Sequence, residues 1–190
     1  MYIDQKHREI VFKIVYYGPG LGGKTTNLEY IHSHIQSNLR SDLISFKTKE
    51  GRTLYFDFMQ VGLNSINGKR PRFHLYTVPG QTQYAFGRKL IVKGADAIVF
   101  VADSQKSRME DNVDSKKDLQ TKLHLVSSSL DEIPWIIQYN KRDLPLAAPV
   151  YQLQRELNPE NVPFVEAVAS QGIGVFETLK HAIRITVASK

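Results

Sequence analysis

The 190-residue chain contains no cysteine. That absence excludes disulfides, thiolate metal sites, cysteine nucleophiles and prenyl or palmitoyl anchors, and it fits a reducing compartment. Long apolar runs are missing as well. The longest, such as residues 97–102, are strand-sized and far below the roughly 20 residues that a spanning helix needs. The first nine residues are polar, without an apolar stretch after a charged start, and Tyr2 stands where myristoylation requires glycine. No leader and no intrinsic lipid anchor are therefore expected. Internal repeats, Gly/Ser/Pro-rich linkers and long charge blocks are absent too, so the reading is one domain over 1–190. The six histidines fall at no ligating spacing; His32 and His34 stand two apart on a predicted helix and face different sides.

With 42% hydrophobic and 23% charged residues, the composition is that of a folded domain rather than a disordered segment. Lys and Arg exceed Asp and Glu by 25 − 19 = 6, which admits nucleic acid, an acidic surface or an anionic ligand as partner. The sequence shows no nucleic-acid motif and no basic stripe, so direct nucleic-acid binding is not expected.

Residues 10–17 form a β-branched and aromatic run that stops at Gly18-Pro19-Gly20, as a buried strand ending in a tight loop does. Leu28, Ile31 and Ile35 then recur at helical spacing from a start near Thr25. Strand-like runs over 53–59 and 72–78 flank Asn67-Gly68, a hairpin signal that pairs them antiparallel. Beyond them helix and strand alternate: helix 84–93, strand 97–102, helix 109–129, strand 135–139, helix 151–157 and strand 164–168. A last helix carries Phe176, Leu179, Ile183 and Val187 on one face. This alternation predicts an α/β fold with a mostly parallel central sheet, one antiparallel edge hairpin and helices on both faces. Ligands of such sheets gather at the carboxyl ends of the strands.

At the end of the first strand stands Gly18-Pro19-Gly20-Leu21-Gly22-Gly23-Lys24-Thr25, which satisfies G-x-x-x-x-G-K-[ST] and opens a helix. Glycines let successive backbone N–H groups wrap a phosphate chain, and the helix N-terminus adds positive partial charge at the same point. Lys24 then bridges the β- and γ-phosphates, the Thr25 hydroxyl ligates Mg²⁺ beside the same oxygens, and Thr26 joins the residues that bind the nucleotide. Asn140-Lys141-Arg142-Asp143 follows the 135–139 strand at the same sheet edge. A carboxylate at Asp143 accepts both the N1–H and the N2 amino protons of guanine, a pair that adenine lacks, and such a site rejects the analogue by about 10⁴ or more. Asn140 holds the loops together, and the stem of Lys141 lies along the ring. Ala169, placed after the last strand, offers a backbone N–H to the guanine O6 by position alone.

Four segments carry a closer likeness: Tyr16-Tyr17-Gly18-Pro19-Gly20-Leu21-Gly22-Gly23-Lys24-Thr25-Thr26-Asn27-Leu28, Arg52-Thr53-Leu54-Tyr55-Phe56-Asp57-Phe58, Phe73-His74-Leu75-Tyr76-Thr77-Val78-Pro79-Gly80-Gln81 and Asn140-Lys141-Arg142-Asp143-Leu144-Pro145. On these the chain resembles the Ras-like small GTPase superfamily over nearly its whole length and, within it, the MglA family of bacterial gliding and polarity GTPases. The resemblance implies a P-loop NTPase of the Ras-like G-domain type, bound to GTP or GDP with Mg²⁺ and hydrolysing GTP slowly. It further implies a dimeric roadblock-type MglB partner as GTPase-activating protein and polarity or motility effectors that bind the GTP form. A cytoplasmic protein recruited to cell poles or inner-membrane complexes through partners is expected.

The D-x-x-G motif of the superfamily here reads Thr77-Val78-Pro79-Gly80. Its metal-holding aspartate is missing, and Asp57 on the neighbouring strand either takes its place or faces solvent on an edge. By resemblance, the Gly80 N–H meets the γ-phosphate, Gln81 orients the attacking water, and Thr53 or its rival Thr48 is the switch threonine on Mg²⁺. Arg52 acts as an arginine finger in cis, and a sliding strand accompanies switching. One other reading stays open at this level, a scaffold in which nucleotide only orders the fold; a basic nucleic-acid-binding domain has only the net charge in its favour.

Overall fold

Along β2 (Glu9–Tyr17), Ile14 and Tyr16 turn to one side and Val15 and Tyr17 to the other, and all four are fully buried. A strand without a solvent face needs cover on both sides. The computed structural model, which describes residues 1–47, 53–63, 70–79 and 85–189, supplies that cover as two helical layers on one sheet. The sheet runs β3 (Ile44–Lys47), β4 (Thr53–Gly62), β5 (Arg70–Thr77), β2, β6 (Ala97–Asp103), β7 (Trp135–Asn140) and β8 (Phe164–Glu166). From β5 to β8 every neighbour is parallel, and β3, β4 and β5 pair antiparallel.

One layer consists of α1 (Lys24–His34) and α5 (Val175–Ala188), packed on Ile14, Tyr16, Met59, Leu75 and Val99. The other contains α2 (Ala85–Val92), α3 (Met109–His124) and α4 (Val150–Leu157), packed on Val15, Tyr17, Ile98, Phe100 and Ile137. Arg88 on α2 pairs with Asp118 on α3 at 3.0 Å, and the Tyr17 hydroxyl donates to the same carboxylate. All seven residues of β6 are buried, so the central strand reads as one apolar run ending in an aspartate.

The antiparallel pairing of the 53–59 and 72–78 runs is found as β4 on β5, with Phe58 opposite Tyr76; the turn at 64–69 lies outside the described residues. Two strands went unread. β1 (Tyr2–Asp4) pairs antiparallel with the start of β2, and β3 covers the outer side of β4, so β4 is not an edge.

The helix read over 109–129 ends at His124, because Val126 and Ser127 turn back on residues three before them and Ser127 adopts φ +57°. The strand read over 164–168 ends at Glu166, where Val168 bridges instead to Ile173. On α5 the buried residues are Val175, Thr178, Leu179, Ala182 and Thr186, while Val187 is exposed. Thr178 and Thr186 donate to the carbonyls of Gly174 and Ala182, at 2.8 and 2.6 Å, so both hydroxyls are buried without an unmet polar group.

Candidate functional site

The loop between β2 and α1 is held in a shape that only its glycines allow. Gly18 has φ +142°, and a Cβ there would lie 2.1 Å from the Val101 carbonyl oxygen on β6. Gly23, the N-cap of α1, has φ +100°, and a Cβ there would lie 2.1 Å from Asn140 Nδ2. Gly22 closes a turn on Pro19, and Leu21 stands exposed at φ +61°. The N–H groups of the first helical turn then point out of the loop, together with the positive end of the helix. Gly23→Ala is expected to cost about 1–2 kcal/mol from the left-handed backbone alone. Its methyl also pushes Asn140 aside. Chemical denaturation checks the first effect, and faster nucleotide release checks the second.

Lys24 is buried and donates from Nζ to the carbonyl oxygens of Gly18 at 2.8 Å and Pro19 at 2.7 Å. Burial, with the guanidinium of Arg88 adding to it and Asp57 opposing it, pushes the ammonium down to about 7. Arg108 donates from Nη2 to the Gly20 carbonyl at 2.8 Å, clamping the tip of the loop.

The 140–143 segment meets this loop directly. Asn140 donates from Nδ2 to the Gly22 carbonyl at 2.8 Å, and its Oδ1 accepts the Ala169 N–H at 2.9 Å. One buried amide thus ties three loops together. Lys141, at φ +65°, donates to Asp103 Oδ2 at 2.6 Å and lines the cavity beside it. A cavity of about 200 Å³ opens between Leu21, Thr26, Lys141, Asp143 and Ala169, with Asp143 exposed at its rim.

Across the sheet, Ser45, Asp57, Thr77 and Tyr16 stand in one row. Asp57 is fully buried. Its carboxylate accepts from Thr25 Oγ1 at 2.5 Å, from Thr77 Oγ1 at 2.7 Å and from the Ser45 hydroxyl, while its N–H donates to Thr77 Oγ1 at 2.9 Å. The solvent-facing alternative for Asp57 is therefore ruled out. Thr77, first residue of the altered D-x-x-G motif, holds the carboxylate from the strand alongside. A carboxylate and a threonine hydroxyl brought together at a helix N-terminus are oxygen donors suited to a hard cation such as Mg²⁺.

Sequence reasoning brought together Gly18, Gly20, Gly22, Gly23, Lys24, Thr25, Thr26, Asn140, Lys141, Asp143 and Ala169, and the structure places them around one cleft. Thr53 is the first residue of β4. Arg52, Thr48, Gly80 and Gln81 lie outside the described residues. Two supporting residues were missed. Asp103 ends an apolar strand at the same sheet edge, which is a readable signal; Arg108 begins a polar helix and carries none.

The model of the ADP-ribosylation factor family matches residues 3–182. The chain is 50% identical over 186 residues to the mutual gliding-motility protein MglA of Myxococcus xanthus, covering 98% of this chain and 95% of that protein. It is also 27% identical over 107 residues to the ADP-ribosylation factor-like protein 4C of Homo sapiens and of Mus musculus, covering 55% of this chain and 53% of theirs. With the phosphate loop, the Asn140 tie and the cavity at the carboxyl ends of the strands, the chain belongs to the ADP-ribosylation factor family, small GTPases that bind GTP and GDP and hydrolyse GTP.

Proposed function

We propose that this GTPase is a single-domain switch for cell polarity or gliding motility, whose GTP form recruits effectors and whose slow hydrolysis is accelerated by a dimeric roadblock partner of the MglB type. The observation that carries the reading is the Asn140 amide, which joins the Gly22 carbonyl to the Ala169 N–H and so sets the phosphate grip against the base pocket. The 50% identity to a gliding-motility protein, over 98% of this chain, supports the cellular role. No helix among the described residues is long and apolar enough to cross a membrane, and recruitment to a cell pole through partners is part of the proposal.

In this reading the backbone N–H groups from Gly20 to Thr25 receive the phosphates, with Lys24 as a point charge on the β- and γ-oxygens. Thr25 and Asp57 hold Mg²⁺, with Thr53 as the switch ligand; bound there, the ion neutralises charge on the phosphate oxygens. Gln81 orients the water toward the γ-phosphorus, the Gly80 N–H meets the γ-phosphate, and Arg52 stabilises charge in the transition state. Arginine stays protonated, so it contributes charge and not proton abstraction. Asp143 accepts from guanine N1 and N2, and Ala169 donates to O6.

Single-turnover hydrolysis with GTP and with ATP, with and without the roadblock dimer, tests the proposal. Turnover of GTP alone, raised by the dimer and lost in Gln81→Ala and Arg52→Ala, is expected. Tight GTP binding without turnover under every condition leaves a nucleotide-ordered scaffold instead. Asp143→Ala removes hydrogen bonds to a charged acceptor, each worth about 1.5–3 kcal/mol. With two such bonds lost, GTP-over-ATP discrimination should fall about 10²- to 10⁴-fold in competition binding.

A further inference from the structure

Outside the nucleotide cavity, two fully buried side chains form a reciprocal amide pair. Asn27 on α1 donates from Nδ2 to Gln138 Oε1 at 2.8 Å, and Gln138 on β7 donates from Nε2 to Asn27 Oδ1 at 2.9 Å. Each reaches further. Asn27 Nδ2 also donates to the Gly23 carbonyl at 2.9 Å, and Gln138 Nε2 donates to Thr178 Oγ1 at 2.9 Å, whose hydroxyl in turn donates a hydrogen bond to the Gly174 carbonyl. An apolar pair of similar volume would fill the same space with no polar group left to satisfy, so packing alone does not account for two amides.

Peptide planarity gives them a task. In a trans peptide the carbonyl of one residue and the N–H of the next point in opposite directions. Asn140 holds the Gly22 carbonyl and Asn27 holds the Gly23 carbonyl. Those two bonds, beside the Asn27 backbone N–H that also donates to the Gly23 carbonyl at 3.0 Å, turn the N–H groups of Gly23 and Lys24 the other way, out of the N-terminus of α1, where phosphates are received. Gln138 and Asn140 stand two apart on β7 and so act from the same face of the strand. At its far end the chain of bonds reaches Gly174, the N-cap of α5, just beyond the turn that carries Ala169.

We infer that Asn27 and Gln138 are positioning residues for the phosphate grip: their amide clasp fixes the Gly23–Lys24 peptide plane and thereby the residence time of the bound nucleotide. The inference rests on the nucleotide-binding reading of the same loop. The double variant Asn27→Leu/Gln138→Leu removes both amides together, and Thr178 keeps its bond to Gly174. Its thermal midpoint should stay close to the parent's, while a fluorescent GDP analogue dissociates about tenfold faster, the size of one net hydrogen bond. The preference for GDP over IDP, which lacks the amino group that Asp143 accepts, should not change.

A merely structural role would instead lower the midpoint or loosen both ends of the site, shrinking that preference. Parent-like dissociation in the folded double variant overturns the inference. Should the double variant not fold, Asn27→Ala, which leaves Gln138 bonded to Thr178, is read by the same three measurements. A parent chain that binds neither GDP nor GTP overturns the nucleotide reading beneath; parent binding with an unaffected double variant overturns the clasp alone.

Discussion

Replacing Lys24 by methionine is expected to weaken GDP and GTP binding by about 2–5 kcal/mol, roughly 30- to 5,000-fold, because it removes one partner of a buried charge pair. The same residue gives binding a pH dependence. With its ammonium buried and pushed down from 10.5 to about 7, Lys24 loses its proton above neutrality unless phosphates hold it. Loading at higher pH then takes up a proton, and affinity falls about tenfold per pH unit above 7. GDP titrations between pH 6.5 and 8.5 should show this slope in the parent and none in Lys24→Met; a flat parent profile refutes it. Stability of nucleotide-free protein moves the opposite way. The unfolded chain keeps the proton up to about 10.5 and the folded chain only to about 7, so stability rises with pH across that window.

What was legible in the sequence follows from how narrowly each residue type is constrained. Gly18 and Gly23 are required by positive φ and by neighbours 2.1 Å from any Cβ, so their spacing announced the loop. Asn140 could be read because a side chain that bridges three loops must follow a strand at the ligand edge. The layered architecture was equally open, since β6 is apolar up to its final aspartate and β2 alternates about a buried line.

The misreadings have a common cause, which is polar residues satisfied from within. Thr178 and Thr186 look exposed until their hydroxyls find the carbonyls one turn back, and this shifted the expected buried face of α5. Gln138 sits inside the run Trp135–Asn140 as an apparent interruption, and its partner Asn27 lies 111 positions away, with no local signal to join them. β3 escaped because Ile44–Lys47 is four residues long, and with it went the fact that Asp57 is covered and not on an edge.

That cover makes Asp57 the second residue with a large expected effect. The superfamily places its metal carboxylate on the strand ending in D-x-x-G; here that strand offers Thr77, and the carboxylate comes from directly across the β4–β5 pair to reach the Thr25 hydroxyl at 2.5 Å. Asp57→Asn keeps the volume; with the amide oxygen toward Thr25 and Thr77 both can still donate to it, while the Ser45 hydroxyl turns to accept from the NH2, so folding is expected to survive. The negative charge does not. Stabilisation of phosphate charge by a bound cation is worth several kcal/mol, so loss of its carboxylate ligand should slow single-turnover GTP hydrolysis by about 10²–10³. Chelating Mg²⁺ is expected to accelerate GDP release from the parent, and Asp57→Asn should abolish that acceleration. Retention of the parent's Mg²⁺ dependence by a folded Asp57→Asn variant would show that the carboxylate serves only to join β3, β4 and β5 beneath the loop. Thermal midpoints separate the two roles, because a purely structural carboxylate costs stability when neutralised, whereas a metal ligand held among three hydroxyls loses its function first.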